Sequence, residues 1–408
     1  MSRQVQDAYI VAAARTPIGK APKGVLRHVR PDDLLVHALR AALAQAPGLD
    51  PAAIEDAIVG CAIPEAEQGL NVARIGALLA GLPNTVGGVT VNRFCASGLT
   101  AVAMAADRIR VGEADVMIAA GTESMSMVPM MGNRPSINPR VFEDENIGIA
   151  YGMGLTAEKV AQQWKVSREA QDAFALESHR RAIAAQQAGE FADEIAPIEV
   201  VEKFPDLAGG RIDVRSRRVD LDEGPRADTS AEVLARLRPA FASPRDPGGK
   251  ATGMGSVTAG NSSQTSDGAG ALIIVSERAL KQFGLTPLAR FVSFAIRGVP
   301  PQIMGIGPKE AIPLALAKAG LALDDIGWIE LNEAFAAQSL AVIQDLGLNP
   351  AVVNPMGGAI ALGHPLGATG AIRSATVVHA LRRRQLKYGM VTMCVGTGMG
   401  AAGIFERV

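Results

Sequence analysis

Aromatic side chains are scarce in this chain: Trp, Tyr and Phe together make 4% of 408 residues, while glycine alone occurs 44 times. A core short of large rings is closed by backbone approaching backbone, so sharp turns and Ala-rich helices are expected. Cysteine is scarcer still, with three residues and neither a CxxC pair nor a zinc-type spacing. That argues against a disulfide framework or a metal site and suits a reducing, cytoplasmic compartment. Neither sign of charge is in excess, since 40 Lys and Arg meet 41 Asp and Glu. Bulk electrostatics therefore implies no nucleic-acid or membrane-surface partner. No run reaches about 18 uninterrupted apolar residues, so no membrane span is expected. Polar residues 1–7 and the short apolar run 8–14 lack the form of a secretory signal. What remains is a globular composition, 48% hydrophobic and 20% charged, long enough for two or three domains.

Strand and helix alternate through the first 120 or so residues. Residues 9–14 read as a buried strand. Leu34, Leu35, Ala38, Leu39, Ala42 and Leu43 mark an amphipathic helix, and 57–62 reads as a strand in which Cys61 is core. A helix over 71–79, a strand near Val89, a helix from Leu99 through Ile109 and a strand over 116–120 follow. This rhythm predicts a largely parallel sheet covered by helices. From Ser124 to Lys250 it changes, to a Met cluster (Met125, Met127, Met130, Met131), two helices near 156–164 and 168–188, and a basic, irregular tract holding Arg211, Arg215, Arg217, Arg218 and Arg226. The segment is too long for a loop and reads as an inserted, largely helical subdomain. Regular structure is expected to return after the run from Gly253-Met254-Gly255 to Asn261, with a strand over 272–275. The last 120 or so residues then repeat the order of the first, with Val353-Asn354 answering Val91-Asn92 and Gly396-Thr397 answering Gly121-Thr122. Two similar α/β halves would let equivalent loops converge on one pocket.

Three loops carry chemistry. Cys95, in Asn92-Arg93-Phe94-Cys95-Ala96-Ser97-Gly98, sits where a strand passes into a helix. The free N–H groups and positive dipole end of that helix should ease loss of the thiol proton. The plain alternative is a small buried hydrophobe. His364, in Gly363-His364-Pro365, is presented at another helix start with glycines on either side. His28, His37, His179 and His379 fall in charged or helix-surface contexts and read as structural. Cys394 ends a strand and opens Cys394-Val395-Gly396-Thr397-Gly398, either a turn whose N–H groups face an oxyanion or a plain tight turn between strands. A nucleotide loop is excluded, because a strand rather than a helix follows. Asn332 follows another strand and can orient a water or a carbonyl; Glu333 beside it can be a helix-start carboxylate. A nucleophile, a base and a second thiol as proton carrier exceed what a cysteine protease needs and suit proton traffic to and from carbon or sulfur.

In order, Val91-Asn92-Arg93-Phe94-Cys95-Ala96-Ser97-Gly98, Gly121-Thr122-Glu123-Ser124, Asn332-Glu333-Ala334-Phe335, Gly363-His364-Pro365 and Cys394-Val395-Gly396-Thr397-Gly398 resemble the signatures of the thiolase family. The resemblance implies an α/β fold of two duplicated βαβαβαββ halves in an αβαβα five-layer arrangement. Residues 1–123 with 251–280 would form the N-terminal half, 124–250 the inserted CoA-binding loop domain and 281–408 the C-terminal half. It further implies a 3-ketoacyl-CoA thiolase of fatty-acid β-oxidation in which His364 deprotonates Cys95, Cys95 carries the acyl group and Cys394 shuttles the second proton. The N–H groups of Cys95 and Gly396 would serve one oxyanion, and His364 with a water on Asn332 the other. Arg226, Ser263, Met153 and Phe335 would line the site of CoA and acyl-CoA, which are substrates rather than permanently bound cofactors. Short-chain biosynthetic members tend to carry His where Gly152 stands; the smaller residue favours a roomier acyl tunnel, with acetoacetyl-CoA thiolase as the alternative. A homodimer or homotetramer, or docking on a multifunctional β-oxidation partner, is implied as well. A ketoacyl synthase would typically place a second His at Cys394, and a non-enzymatic lipid carrier would be free to lose all three groups.

Overall fold

The computed structural model describes residues 6–206, 209–241 and 255–408. The expected domain boundary at 250/251 and the Gly253-Met254 pair lie outside the described residues, as do residues 1–5. The first half runs β1 (Tyr9–Arg15), β2 (Gly19–Lys20), α1 (Pro31–Gln45), β3 (Asp56–Gly60), α2 (Val72–Ala80), β4 (Val89–Val91), α3 (Ser97–Arg110) and β5 (Val116–Ser124). Then come α4 (Met153–Gln163), α5 (Arg168–Gln187), β6 (Ile198–Asp206), β7 (Arg211–Val219) and α6 (Ala231–Ala235). The chain returns through β8 (Ser266–Val275) and α7 (Glu277–Phe283). It continues with β9 (Ala289–Gly298), α8 (Gly307–Ala319), β10 (Ile326–Leu331), α9 (Ala336–Leu346), α10 (Ala359–Leu362), α11 (Leu366–Arg383), β11 (Tyr388–Val395) and β12 (Met399–Arg407).

The strands lie in the order β10-β11-β12-β9-β1-β8-β5-β3-β4, with β2 on the end of β8. The two halves meet where β1 touches β9 through only Tyr9↔Arg290 and Ile10↔Ala289, and on either side of that seam the order is the same. Among the named strand pairs of this sheet, β3/β4, β3/β5 and β10/β11 are parallel and the others antiparallel. The expectation of a largely parallel sheet is corrected here. Helical crossovers make parallel pairs, but the three-residue turn over 396–398 can only reverse the chain, and β8 returns beside β5 running the other way.

Alternate residues of each strand enter different cores, which produces the layering. Val11, Ala57, Val59, Ile118 and Ile273 pack against α1 and α2. Met117, Ala119, Leu272, Val391 and Met393 face the opposite way, onto α3 and α11 between the two halves of the sheet. Ile329, Leu331, Met390 and Ile404 meet α8 and α9 on the far side. Strands covered on both faces read as nearly unbroken apolar runs. Helix α11 lies so deep that residues 366–381 are all buried.

The central helices α3 and α11 approach as backbone on backbone. A Cβ on Gly98 would lie 2.6 Å from the Ala371 nitrogen, and one on Gly370 would lie 2.0 Å from the Leu99 nitrogen. Glycine inside a helix costs about 1 kcal/mol relative to alanine. Forcing a methyl into such a gap costs at least as much and displaces both helices.

The inserted segment is pinned to the first half by a buried cation. Arg15 donates to Glu194 at 2.6 Å and, as a fork, to both carboxylate oxygens of Asp222 at 2.7 and 3.0 Å. The arginine tract is not irregular as the sequence suggested. Arg211, Arg215, Arg217 and Arg218 lie on β7, paired with β6, and Glu199 and Glu202 oppose Arg218 and Arg215. Opposite charges across a strand pair support that register.

Gly370→Ala is expected to lower stability by about 3 kcal/mol, read as a lower denaturation midpoint. Gly152→Ala, where an added Cβ meets nothing within 4 Å, should leave the midpoint in place.

Candidate active site

The turn that carries Cys95 is held by its own polar neighbours. Asn92 donates to the Ala62 carbonyl at 2.9 Å and accepts from the Phe94 N–H at 2.8 Å. Ser97 accepts from the Arg93 N–H and donates to the Phe94 carbonyl. Phe94 thereby takes a φ of 42°, a strained value for a side-chain-bearing residue, and Cys95 falls in a single 3-10 turn ahead of α3. This turn packs on β11, the strand that Cys394 occupies, and the two thiols are close enough for each other's charge to be felt.

The Cys95 sulfur receives hydrogen bonds from the N–H groups of Gly396 and of Cys95 itself. The β11–β12 turn is therefore not merely a tight turn: it delivers an N–H to the sulfur. Burial nonetheless outweighs those donors and pushes the Cys95 thiol up to about 12, contrary to the expectation that a helix start would ease its ionisation. Removing water from a thiolate costs more here than two amide dipoles return. The Cys394 thiol is pushed up as well, by burial and then by the neighbouring Cys95.

His364 is buried, and its surroundings decide its tautomer. The Thr369 hydroxyl donates to the Pro365 carbonyl at 2.9 Å, so its lone pair at 2.6 Å receives the Nδ1 proton of His364. Nε2 is left as the free base, 3.3 Å from the Asn332 side-chain nitrogen. Burial, and then the Arg373 guanidinium, push the imidazole down to about 3. Asn332 is positioned by its own N–H, which donates to Thr392 on β11 at 2.9 Å. Its Oδ1 is buried with no partner among the described residues, an acceptor fit for a water or a substrate proton.

An apolar wall completes the site. Phe335, Cys394, Met304, Ala157, Val257 and Ala334 form one buried cluster, with Met153 and Phe241 packed on it. Phe335 and Phe241 meet edge to face at 6.2 Å. Gly396 lies beside the Phe94 ring and the Met153 sulfur. The half-buried Ser263 donates its N–H to the Ala334 carbonyl at 2.9 Å. The structure thus gathers Cys95, Cys394, Gly396, His364, Asn332, Phe335, Met153 and Ser263. Arg226 stands apart, exposed on a separate cavity, with its N–H donated to His179 Nδ1 at 3.2 Å.

Several residues that hold this site in place were not singled out in the sequence. Besides Thr369, the buried Glu123 accepts from the N–H groups of Ala62 and Gly367, both at 2.8 Å, so it ties the end of β3 to the first turn of α11. Glu333 is more than a helix-start carboxylate: fully buried, it binds Ser178 of α5, Asn354 and the N–H of Ile360. His179 and His379, expected in charged or helix-surface contexts, are both buried. Cys61 is core, as expected. Among the described residues no His, Cys, Asp and Glu cluster suits a metal ion, and no helix is long and apolar enough to cross a membrane.

Two family models account for most of the length: thiolase, N-terminal domain over residues 8–278 and thiolase, C-terminal domain over 285–407. The chain belongs to the thiolase family. This thiolase is 50% identical over 405 residues to a 3-ketoacyl-CoA thiolase of Bacillus subtilis, covering 98% of this chain and 100% of that one. It is 46% identical to the 3-ketoacyl-CoA thiolase of Cronobacter sakazakii, covering 99% and 100% of the two chains. Its fold matches human mitochondrial 3-ketoacyl-CoA thiolase at a TM-score of 0.86 and 39% identity over 99% of each chain. A Bacillus anthracis acetyl-CoA acetyltransferase matches equally well, at 0.86 and 39% over the whole of both chains.

The imidazoles of this thiolase carry a stability signature. His364, pushed down to about 3, and His179, pushed down to about 4 by burial and nearby cations, hold a proton less well folded than unfolded, where the value is 6.5. Above 6.5 both states are neutral. Below it the unfolded chain takes up protons that the folded imidazoles refuse, so the contribution of these two groups to stability falls between 6.5 and about 3, while the Glu330 carboxyl, pushed up to about 7 chiefly by burial, works in the opposite sense. His364→Asn should therefore make the change in unfolding midpoint from pH 7 to pH 5 less destabilising than in the native protein, and Glu330→Gln should make it more so.

Proposed function

We propose that this thiolase is a 3-ketoacyl-CoA thiolase, an acyltransferase that cleaves a 3-oxoacyl-CoA with CoA into acetyl-CoA and an acyl-CoA shorter by two carbons. The observation that carries the reading is a site in which two neutral thiols and the Gly396 N–H meet, with Asn332 joining the unprotonated Nε2 of His364 to β11, the strand of the second thiol. His364 Nε2 takes the Cys95 proton as the sulfur attacks the 3-keto carbon, so the thiolate forms only during attack. The N–H groups of Cys95 and Gly396, already at the sulfur, are placed to receive the new oxyanion. The bond between C2 and C3 then breaks. Cys394, held protonated by burial, gives its proton to C2, and acetyl-CoA leaves. A second CoA loses its thiol proton to the Cys394 thiolate and attacks the acyl group on Cys95. Cys95 departs and recovers its proton from His364, which restores every group to its starting state. Groups whose surroundings push their pKa values apart are suited to separate base and acid roles.

Related proteins support CoA as the second substrate: human mitochondrial 3-ketoacyl-CoA thiolase in complex with CoA shares this fold at a TM-score of 0.85 and 38% identity. We assign Ser263, Met153 and Phe335 to the pantetheine and acyl end and Arg226 to the nucleotide end. Acetoacetyl-CoA cleavage is the second reading, favoured by the likeness to an acetyl-CoA acetyltransferase. Open space at Gly152 favours longer acyl chains. Three free buried thiols suit the cytoplasm. The strand β4, paired on one side only, and the exposed Leu78 and Leu79 of α2 suit assembly with further copies of the chain.

Mass measurement after mixing with acyl-CoA should find acyl-enzyme on the native protein and none on Cys95→Ser. Cys394→Ala should acylate slowly yet fail to cleave the carbon–carbon bond. Equal acylation of native and Cys95→Ser protein would remove the assignment. CoA-dependent cleavage of acetoacetyl-CoA, 3-oxohexanoyl-CoA and 3-oxohexadecanoyl-CoA should favour the longer two; a preference for acetoacetyl-CoA selects the second reading.

A further inference from the structure

Strand β10 and helix α11 bring a second buried pair together just behind the pair formed by Asn332 and His364. On β10, Ile329 and Leu331 face α8 and α9, while Trp328 packs with residues of α11. Alternation along the strand puts Glu330 and, past its end, Asn332 on the α11 side. On α11, Thr369 and Arg373 lie one turn apart and share a face. Asn332 meets His364, whose Nδ1 proton Thr369 receives, and Glu330 meets Arg373. The base and a buried cation thus occupy successive rungs between one strand and one helix.

The second pair is loose. Arg373 Nη1 stands 3.6 Å from Glu330 Oε2, beyond a good hydrogen bond, although the two side chains are only 3% and 1% exposed. Glu330 makes its short contact elsewhere, accepting from the Trp328 indole N–H at 2.7 Å. Arg373 Nη2 is buried with no partner among the described residues. A guanidinium so poorly matched keeps much of its field in a dry interior, and the group whose protonation it disfavours is His364. Glu330 is the group placed to offset it. Burial pushes that carboxyl up to about 7, with Arg373 and Trp328 pulling it down and the charges of Glu194 and Glu333 pushing it further up.

We propose that Arg373 and Glu330 are positioning residues that act through His364, and that the balance of charge between them decides how the imidazole divides its two tasks, taking a proton from Cys95 and giving it back. The assignment rests on the acyltransferase reading above. In the first half-reaction the proton passes from the Cys95 sulfur to Nε2 as the bond from sulfur to the 3-keto carbon forms. In the second, the CoA sulfur attacks the acyl carbon, the bond from that carbon to Cys95 breaks, and Nε2 returns the proton to the departing sulfur. A cation behind the ring weakens the imidazole as a base and strengthens the imidazolium as an acid, so it slows the first transfer and speeds the second. Ionised Glu330 moderates both effects.

The test times the two half-reactions separately at pH 8, where the native Glu330 is ionised. Acylation is followed by mass after rapid mixing with 3-oxohexanoyl-CoA, and deacylation after CoA is added to the acyl-enzyme. Glu330→Gln, whose amide oxygen still accepts from Trp328, should slow acylation about threefold and speed deacylation by a similar factor, the response of a proton transfer to a shift of about one pKa unit. Arg373→Met combined with Glu330→Gln should reverse both signs, and Arg373→Lys, which keeps the cation, should stay near the native rates. Glu330→Gln decides the matter even where the double variant fails to fold. A loss in both half-reactions, as a packing defect would give, or unchanged rates in both, overturns the proposal. Absence of acyl transfer to Cys95 in the native enzyme would instead remove the acyltransferase reading itself, and this assignment with it.

Discussion

The crossing of α3 over α11 is the constraint on which the rest of the structure depends. Cys95 stands three residues before Gly98, and His364 six residues before Gly370. Because these glycines let the two backbones touch, the starts of both helices are set against each other deep in the molecule. A side chain at either crossing point would separate the helices, and a nucleophile and base placed just ahead of them would part by a similar amount. Shifts of about 1 Å in such a pair cost roughly a hundredfold in rate. The glycine content and shortage of aromatics in the sequence acquire their reason at this crossing.

Burial then sets the chemistry. A buried thiol and a buried imidazole both resist charge, so the resting site holds neither a thiolate nor an imidazolium. An exposed thiolate would be open to oxidation and to stray electrophiles. A neutral pair ionises only when substrate supplies an oxyanion for the waiting N–H groups. Thr369 completes the arrangement by fixing which imidazole nitrogen is basic. The buried carboxylates perform the same kind of service for the backbone: Glu123 joins β3 to α11, and Glu333 joins α5 to α10.

Much of this was legible in the sequence, because the informative features were local. A strand-to-helix link around Cys95, a Gly-flanked His364 and a turn after Cys394 are patterns within a dozen residues, and the repeat of their order pointed to two halves. What escaped depended on partners far along the chain. The direction of β8 follows from a return after more than a hundred residues, and the Arg-rich β7 looked irregular because Glu199 and Glu202 opposite it were needed to reveal a strand. The ionisation of Cys95 is hidden for the same reason: the helix start shows in the sequence and the depth of burial does not.

The duplicated halves explain why the site is divided as it is. In the first half the link from β4 to α3 carries the nucleophile; in the second, the corresponding link ahead of α11 carries the base. The strands β5 and β11 occupy matching places in the sheet order, yet they continue differently. After β5 the chain leaves for the inserted segment, which Arg15 anchors through Glu194 and Asp222. After β11, which carries the second thiol near its end, it turns back at once, and that turn presents the Gly396 N–H. Neither half holds both a nucleophile and its base, so the chemistry exists only across the seam where α3 meets α11. A duplication that left both halves identical would have placed two nucleophiles or two bases there. Divergence of the equivalent loops, under a packing that could not diverge, is what turns a symmetric scaffold into an asymmetric site.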